Sequence, residues 1–297
     1  MPIQRLFSHS ALLLLLACAG IAQADTTTTP LQQLPQLDKD EIQARRPPGF
    51  AAYLLRGNDR TIVLDFPSVR EQGAMFGRVI LYIERDGTPR DRVMSFPETE
   101  EWLVRSGLRL DTLTVGNNFR TEELARFFNA VRKQGDRLTA DEKFLHDWLL
   151  RMQLLKPDGR DVAAANDAIV VTVPQASTVD GCATCTVLAE HRAAILEHEL
   201  AHARFSTDGS YHAHVLRFWN REMSDSMRER FTQFLRKRGY DADNRELLAN
   251  EMQAFLMHTP HPGMFSANAV GLTEEELADL RRRFDAGLPR MEASAGQ

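Results

Sequence analysis

The segment Ile195-Leu-Glu-His-Glu-Leu-Ala-His-Ala-Arg-Phe205 holds two histidines and a glutamate in the pattern H-E-x-x-H, as His198, Glu199 and His202. Residues four apart on a helix stand one turn up the same face, about 6 Å along the axis, so both imidazoles can converge on one metal ion. Glu199 sits one position round the helix. From there a carboxylate can reach a water beside the metal without taking a coordination position, which is what a general base requires. Ile195, Leu196, Leu200 and Ala201 surround the pattern with residues that favour a helix and can bury its other faces.

Histidine is unevenly spread. Of nine in the chain, His191, His198, His202, His212, His214, His258 and His261 fall in one stretch of about seventy residues. That stretch is predicted almost wholly helical, with helices over 186–205, 211–222, 226–238 behind Ser226-Met-Arg-Glu229, 244–258, and 274–286 behind Thr273-Glu-Glu-Glu276. Phe218, Trp219, Phe231, Phe234 and Leu235 recur at helical spacing and read as core. The stretch before it alternates elements. Ile62-Val-Leu64 lies in a strand-like run over 54–66, and Ser68-Val-Arg-Glu71 is a capping box opening a helix that Asp86-Gly87 ends. Helices are predicted over 121–133 and, behind the capping box Thr139-Ala-Asp-Glu142, over 145–155; Ala168-Ile-Val-Val-Thr-Val173 reads as a strand. The expected class is therefore α+β, a small mixed region over 50–175 followed by a mainly helical region over 176–297 that carries the site.

The start of the chain reads as an export signal over 1–24. Arg5 precedes the apolar run Ala11–Ala22, and Ala22-Gln23-Ala24 has the form of a signal-peptidase site. A second reading makes Leu15-Leu16-Ala17-Cys18 a lipobox with a lipid anchor at Cys18. The first reading implies a periplasmic or secreted protein and the second a membrane-anchored lipoprotein. The apolar run is too short for a bilayer span of about 20 residues. Residues 25–49, rich in Thr, Gln and Pro, read as a linker. In an exported chain, Cys182 and Cys185, spaced C-x-x-C, are expected to form a disulfide; a redox pair and zinc ligation are the alternatives.

The 297 residues are 43% hydrophobic and 26% charged, enough apolar material for a sizeable core. Acidic residues outnumber basic ones 41 to 36, and no long run of like charge offers a groove for nucleic acid.

The H-E-x-x-H helix resembles that of the zincin metallopeptidases. A metzincin would carry Gly and then His or Asp further on; this chain has Phe205 and Asp208 at those positions, which makes Asp208 a poor ligand. The gluzincin branch takes a Glu from a later helix, commonly as Asn-Glu. Asn250-Glu251, within Glu246-Leu-Leu-Ala-Asn-Glu-Met-Gln-Ala-Phe255, is similar to that element, so the resemblance implies Glu251 as third ligand and one Zn²⁺ per chain. The gluzincin Asp four residues beyond the ligand Glu is Phe255 here; Glu246 and Asp208 are the alternatives for the carboxylate that orients an imidazole. The implied activity is hydrolysis of a peptide or protein substrate by a zinc-activated water, with Glu199 as general base. For the donor to the developing oxyanion, Tyr211, His212 and His214 follow the helix, with His258 and His261 next. A cell-wall peptide amidase using the same zinc chemistry, and a non-catalytic binding or scaffold protein on a zincin fold, stand as alternatives.

Overall fold

The computed structural model describes residues 30–110, 113–177 and 186–288. The expected export signal, Cys18 and the Cys182/Cys185 pair lie outside the described residues.

Strand propensity and hairpin chemistry build the centre. Strands β2 (Ala51–Leu55) and β3 (Asn58–Phe66) pair antiparallel around Gly57, whose positive φ of 84° suits the tight turn. The strand-like run over 54–66 thus comprises the end of β2 and all of β3. β1 (Gln36–Leu37) adds parallel to β2, β7 (Ile169–Pro174) adds parallel to β3, and β4 (Asn117–Arg120) closes the other edge antiparallel to β7. The resulting sheet has the order β1-β2-β3-β7-β4. A small hairpin of β5 (Leu155–Asp158) and β6 (Asp161–Ala164) stands apart.

Helices cover both faces, and the alternation along the central strands explains why. Ile62, Leu64, Phe66 and Val170 point to one side, into a core shared with α2 (Val69–Ile83), α4 (Thr121–Lys133) and α5 (Ala140–Arg151). Val63, Ile169, Val171 and Val173 point to the other, against α1 (Lys39–Ala44) and α6 (Ala189–Thr207). The remaining helix of the first region, α3 (Phe96–Ser106), begins with Pro97 in its first turn and a Ser95/Glu98 capping box. Beyond α6 come α7 (Gly209–Arg217), a π-helical turn Phe218–Glu222, α8 (Asp225–Lys237), α9 (Arg245–His258) and α10 (Glu274–Ala286). They share a separate core that includes Phe218, Trp219, Phe231, Phe234 and Leu235. The α+β class holds, with one correction to its layout. α6 belongs to the sheet's second face, so the H-E-x-x-H helix joins the two regions.

A buried arginine fixes that helix. Arg192, fully buried one turn and a half before His198, donates through Nη1 and Nη2 to both carboxylate oxygens of Asp65 on β3 at 3.0 and 2.9 Å. It also reaches the carbonyls of Pro174 and Ile42 at 2.9 and 3.0 Å. Such a buried, bidentate pair locks orientation, and removing one partner typically costs about 3–5 kcal/mol.

Residues 36–44 correct the linker reading. They form β1 and α1, with Ile42 fully buried and a capping box between Asp38 and Glu41. Among the described residues, no helix is long and apolar enough to cross a membrane.

Candidate metal centre

His198, Glu199 and His202 lie on α6, and Glu251 lies on α9, which packs against it; all four are buried. His198, His202 and Glu251 form a group able to hold a metal ion, their ligand atoms all within 4.8 Å of one another. The imidazole Nε2 atoms are 3.1 Å apart, and each lies near a carboxylate oxygen of Glu251, 3.5 Å from His202 and 3.7 Å from His198.

The hydrogen bonds behind the imidazoles decide which atoms carry protons. Asn250 Oδ1 can only accept, so His202 Nδ1, 2.9 Å away, donates to it. The Thr259 hydroxyl gives its hydrogen to the Ala254 carbonyl at 2.9 Å, so at 2.8 Å it accepts from His198 Nδ1. Both Nε2 atoms therefore present lone pairs. Burial, helped by the Arg238 charge, lowers the His198 pKa to about 3, and burial lowers that of His202 to about 4, so both rings are neutral at neutral pH. Glu251 Oε2 has no hydrogen-bond partner. Three lone-pair donors that repel one another, one of them orphaned, fit a bound cation.

Glu199 stands beside the ligands. Its Oε2 accepts from Asn118 Nδ2 on β4 at 3.1 Å, and Gly116 lies so close that a Cβ there would fall 2.5 Å from Glu199 Oε1 and 2.7 Å from Ile195 Cγ2. Glycine at 116 thus lets the start of β4 press against the H-E-x-x-H helix. Burial and the Glu251 charge raise the Glu199 pKa to about 8. All four side chains line a cavity of about 450 Å³, whose other walls include Val115, Asn118, Phe255 and Tyr240.

The sequence's expectations divide cleanly. Sequence reading brought together His198, Glu199, His202 and Glu251, and the structure gathers them. It does not bring Tyr211 or His214 to the cavity. Tyr211 is fully buried, its hydroxyl donating to Gln253 Oε1 at 2.7 Å and meeting His258 Nε2 at 3.2 Å. His214 is fully buried against Phe284, its Nδ1 bonded to Arg217 Nη2 at 2.8 Å. Both point into the helical core because α7 turns away from α6 after Asp208. That residue is neither ligand nor orienting carboxylate: it caps α7, accepting from the amides of Ser210 and Tyr211. Glu246 pairs with Arg120 at the surface. The groups bonded behind the imidazoles are Asn250 and Thr259, and the tyrosine that lines the cavity is Tyr240. Asn250 was visible in the sequence beside Glu251. Thr259 and Tyr240 follow helix ends and carry no signal of their own.

Compared with known proteins, the chain matches no family model, no curated protein and no solved structure.

Proposed function

We propose that the chain is a zinc metallopeptidase of gluzincin type, hydrolysing peptide bonds of a peptide or protein in the cavity beside His198, His202 and Glu251. One observation carries this reading: three buried lone pairs, two with proton positions fixed by Thr259 and Asn250, converge at a cavity wall where an unligated carboxylate also stands. Two imidazoles and one carboxylate suit zinc, which when bound would supply Lewis acidity to a water and to the scissile carbonyl.

The protein's own groups do the rest. Glu199, anchored by Asn118, takes a proton from the attacking water and returns it to the departing amine. Its raised pKa derives from burial and from Glu251, and a cation held by the ligand group would offset the second cause, moving Glu199 toward a base active near neutral pH. Tyr240 is kept protonated, well above the usual phenol range, by burial and by the charges of Glu251, Glu84 and Glu199. It is the donor for negative charge that develops on the carbonyl oxygen. β4 is an edge strand, and beside Asn118 its unpaired backbone groups can take an extended peptide.

The test is incubation of the zinc-loaded protein, from Asp25, with an unfolded protein and a peptide mixture, with products read by mass spectrometry. New termini should appear, and vanish with Glu199→Gln or a chelator. Identical products from wild type and Glu199→Gln, or none from zinc-loaded wild type, would overturn the reading.

A further inference from the structure

The cavity has a second charged wall that the proposed chemistry does not use. Arg85, just after α2, and Arg238, just after α8, both line it. Among the described residues neither lies within ion-pair distance of a carboxylate, whereas Arg56, Arg78, Arg192 and Arg217 do have such a partner. Each is held by groups that leave its charge uncancelled. Arg85 donates through Nη1 to the Arg238 carbonyl at 3.0 Å, and its guanidinium lies against Gly239, where a Cβ would fall 2.6 Å from Cζ. Gly239 also has a positive φ of 87°, so glycine is demanded there twice. Arg238 donates to the Met264 carbonyl at 3.1 Å and stacks on Phe234, with Cζ 3.8 Å from the ring centroid.

This wall is braced. Arg85 and Tyr240 form an antiparallel bridge, and the Asp86 amide donates to the Gly239 carbonyl at 3.0 Å. It is also close to the chemistry. Arg238 reaches over Phe255 at 5.4 Å, and the Phe255 ring packs edge-on against His198 with centroids 4.7 Å apart. Two planar guanidiniums with spare donors, fixed by backbone carbonyls and aromatic faces, are a carboxylate-binding arrangement. The nearby acids are otherwise engaged: Glu251 with the ligand group and Glu199 with Asn118. Glu84, half-buried, lines the same wall.

We infer that Arg238 and Arg85 form a carboxylate-recognition subsite, so that the cavity selects peptides carrying a carboxylate next to the bond placed at the ligand group. The inference rests on the peptidase reading for that bond, while the anion preference itself does not. The carboxylate is either a peptide's free C-terminus or an acidic side chain within it.

Binding to the Glu199→Gln protein, measured calorimetrically, separates these sources and needs no turnover. The probes are N-acetyl-trialanine as free acid, the same peptide as C-terminal amide, and N-acetyl-Ala-Glu-Ala amide. The subsite predicts that the plain amide binds at least about tenfold more weakly than the better of the other two. A preference for the free acid alone assigns the C-terminal carboxylate, and equal gain from the glutamyl amide assigns the side chain. Arg238→Gln and Arg85→Gln should each shrink the preference, Arg238→Lys should keep part of it, and circular dichroism checks that each variant folds. Equal affinity for all three probes, or a preference unchanged in a folded double variant, would overturn the subsite. A protein that keeps the preference yet binds no zinc would sink the peptidase reading and leave the subsite standing.

Discussion

Two histidine-rich regions flank α9, and among the described residues only one of them forms a group that could hold a metal. Around His198 and His202 the Nδ1 protons are committed outward to Asn250 and Thr259, so the Nε2 lone pairs face each other, Glu251 and an open cavity. Around His214 and His258 the rings are also packed, the first fully buried and the second half-buried, yet their polar atoms meet Arg217 and Tyr211, and among the described residues no carboxylate joins them in a metal-holding group. His214 Nε2 has no partner, but Phe284 and Phe218 pack against its ring. Histidine number and burial do not make a metal site. Convergent lone pairs with fixed proton positions do.

Substitutions can break or sharpen this contrast. His202→Ala should weaken zinc binding by more than about a thousandfold, since one of three ligands is lost, while His214→Ala should leave zinc affinity unchanged and cost about 1–3 kcal/mol of stability. Chelator competition and thermal unfolding on both proteins check this. Glu199→Gln should lower peptide hydrolysis by about 10²–10⁴ with zinc still bound.

In chelated protein the same Glu199→Gln change should stabilise. Glu199 has a folded pKa of about 8 against an ordinary value of 4.5, so its contribution is fully present below 4.5 and is lost as pH rises through 8. The glutamine variant escapes that loss. Its advantage over wild type should grow from pH 4.5 to 8, reaching on the order of a few kcal/mol, as denaturant titrations at several pH values would show. Asn250→Ala and Thr259→Val should each weaken zinc about 10–100-fold by freeing an imidazole. The smallest effect belongs to Tyr211→Phe, which removes one buried hydrogen bond to Gln253 and should cost about 1 kcal/mol with hydrolysis nearly unchanged. A large loss of hydrolysis there would return Tyr211 to the site.

What could be read from the sequence follows the range of the interactions. His198, Glu199 and His202 were legible because their geometry is set within one helical turn. Helix starts at Ser68, Thr139 and Thr273 were legible because a cap is a three-residue signal. The same signal at Asp38/Glu41 and Ser95/Glu98 marks α1 and α3, which the sequence reading left out. α8 starts after Ser224 rather than Ser226, the two serines being close enough to share the cap. Asn118, Tyr240 and the arginine wall were not legible. Strand pairing of β4 with β7 brings in the first, and the Arg85 to Tyr240 bridge brings in the others from 155 residues apart in sequence. No local pattern encodes such pairings.

The metal centre is tested most directly by zinc titration of the protein from Asp25 under chelator competition, comparing wild type with Glu251→Ala and Asp208→Ala. One zinc per wild-type chain is expected, bound much more weakly after Glu251→Ala and equally well after Asp208→Ala. No zinc in reconstituted wild type, or zinc indifferent to Glu251 and sensitive to Asp208, would contradict it.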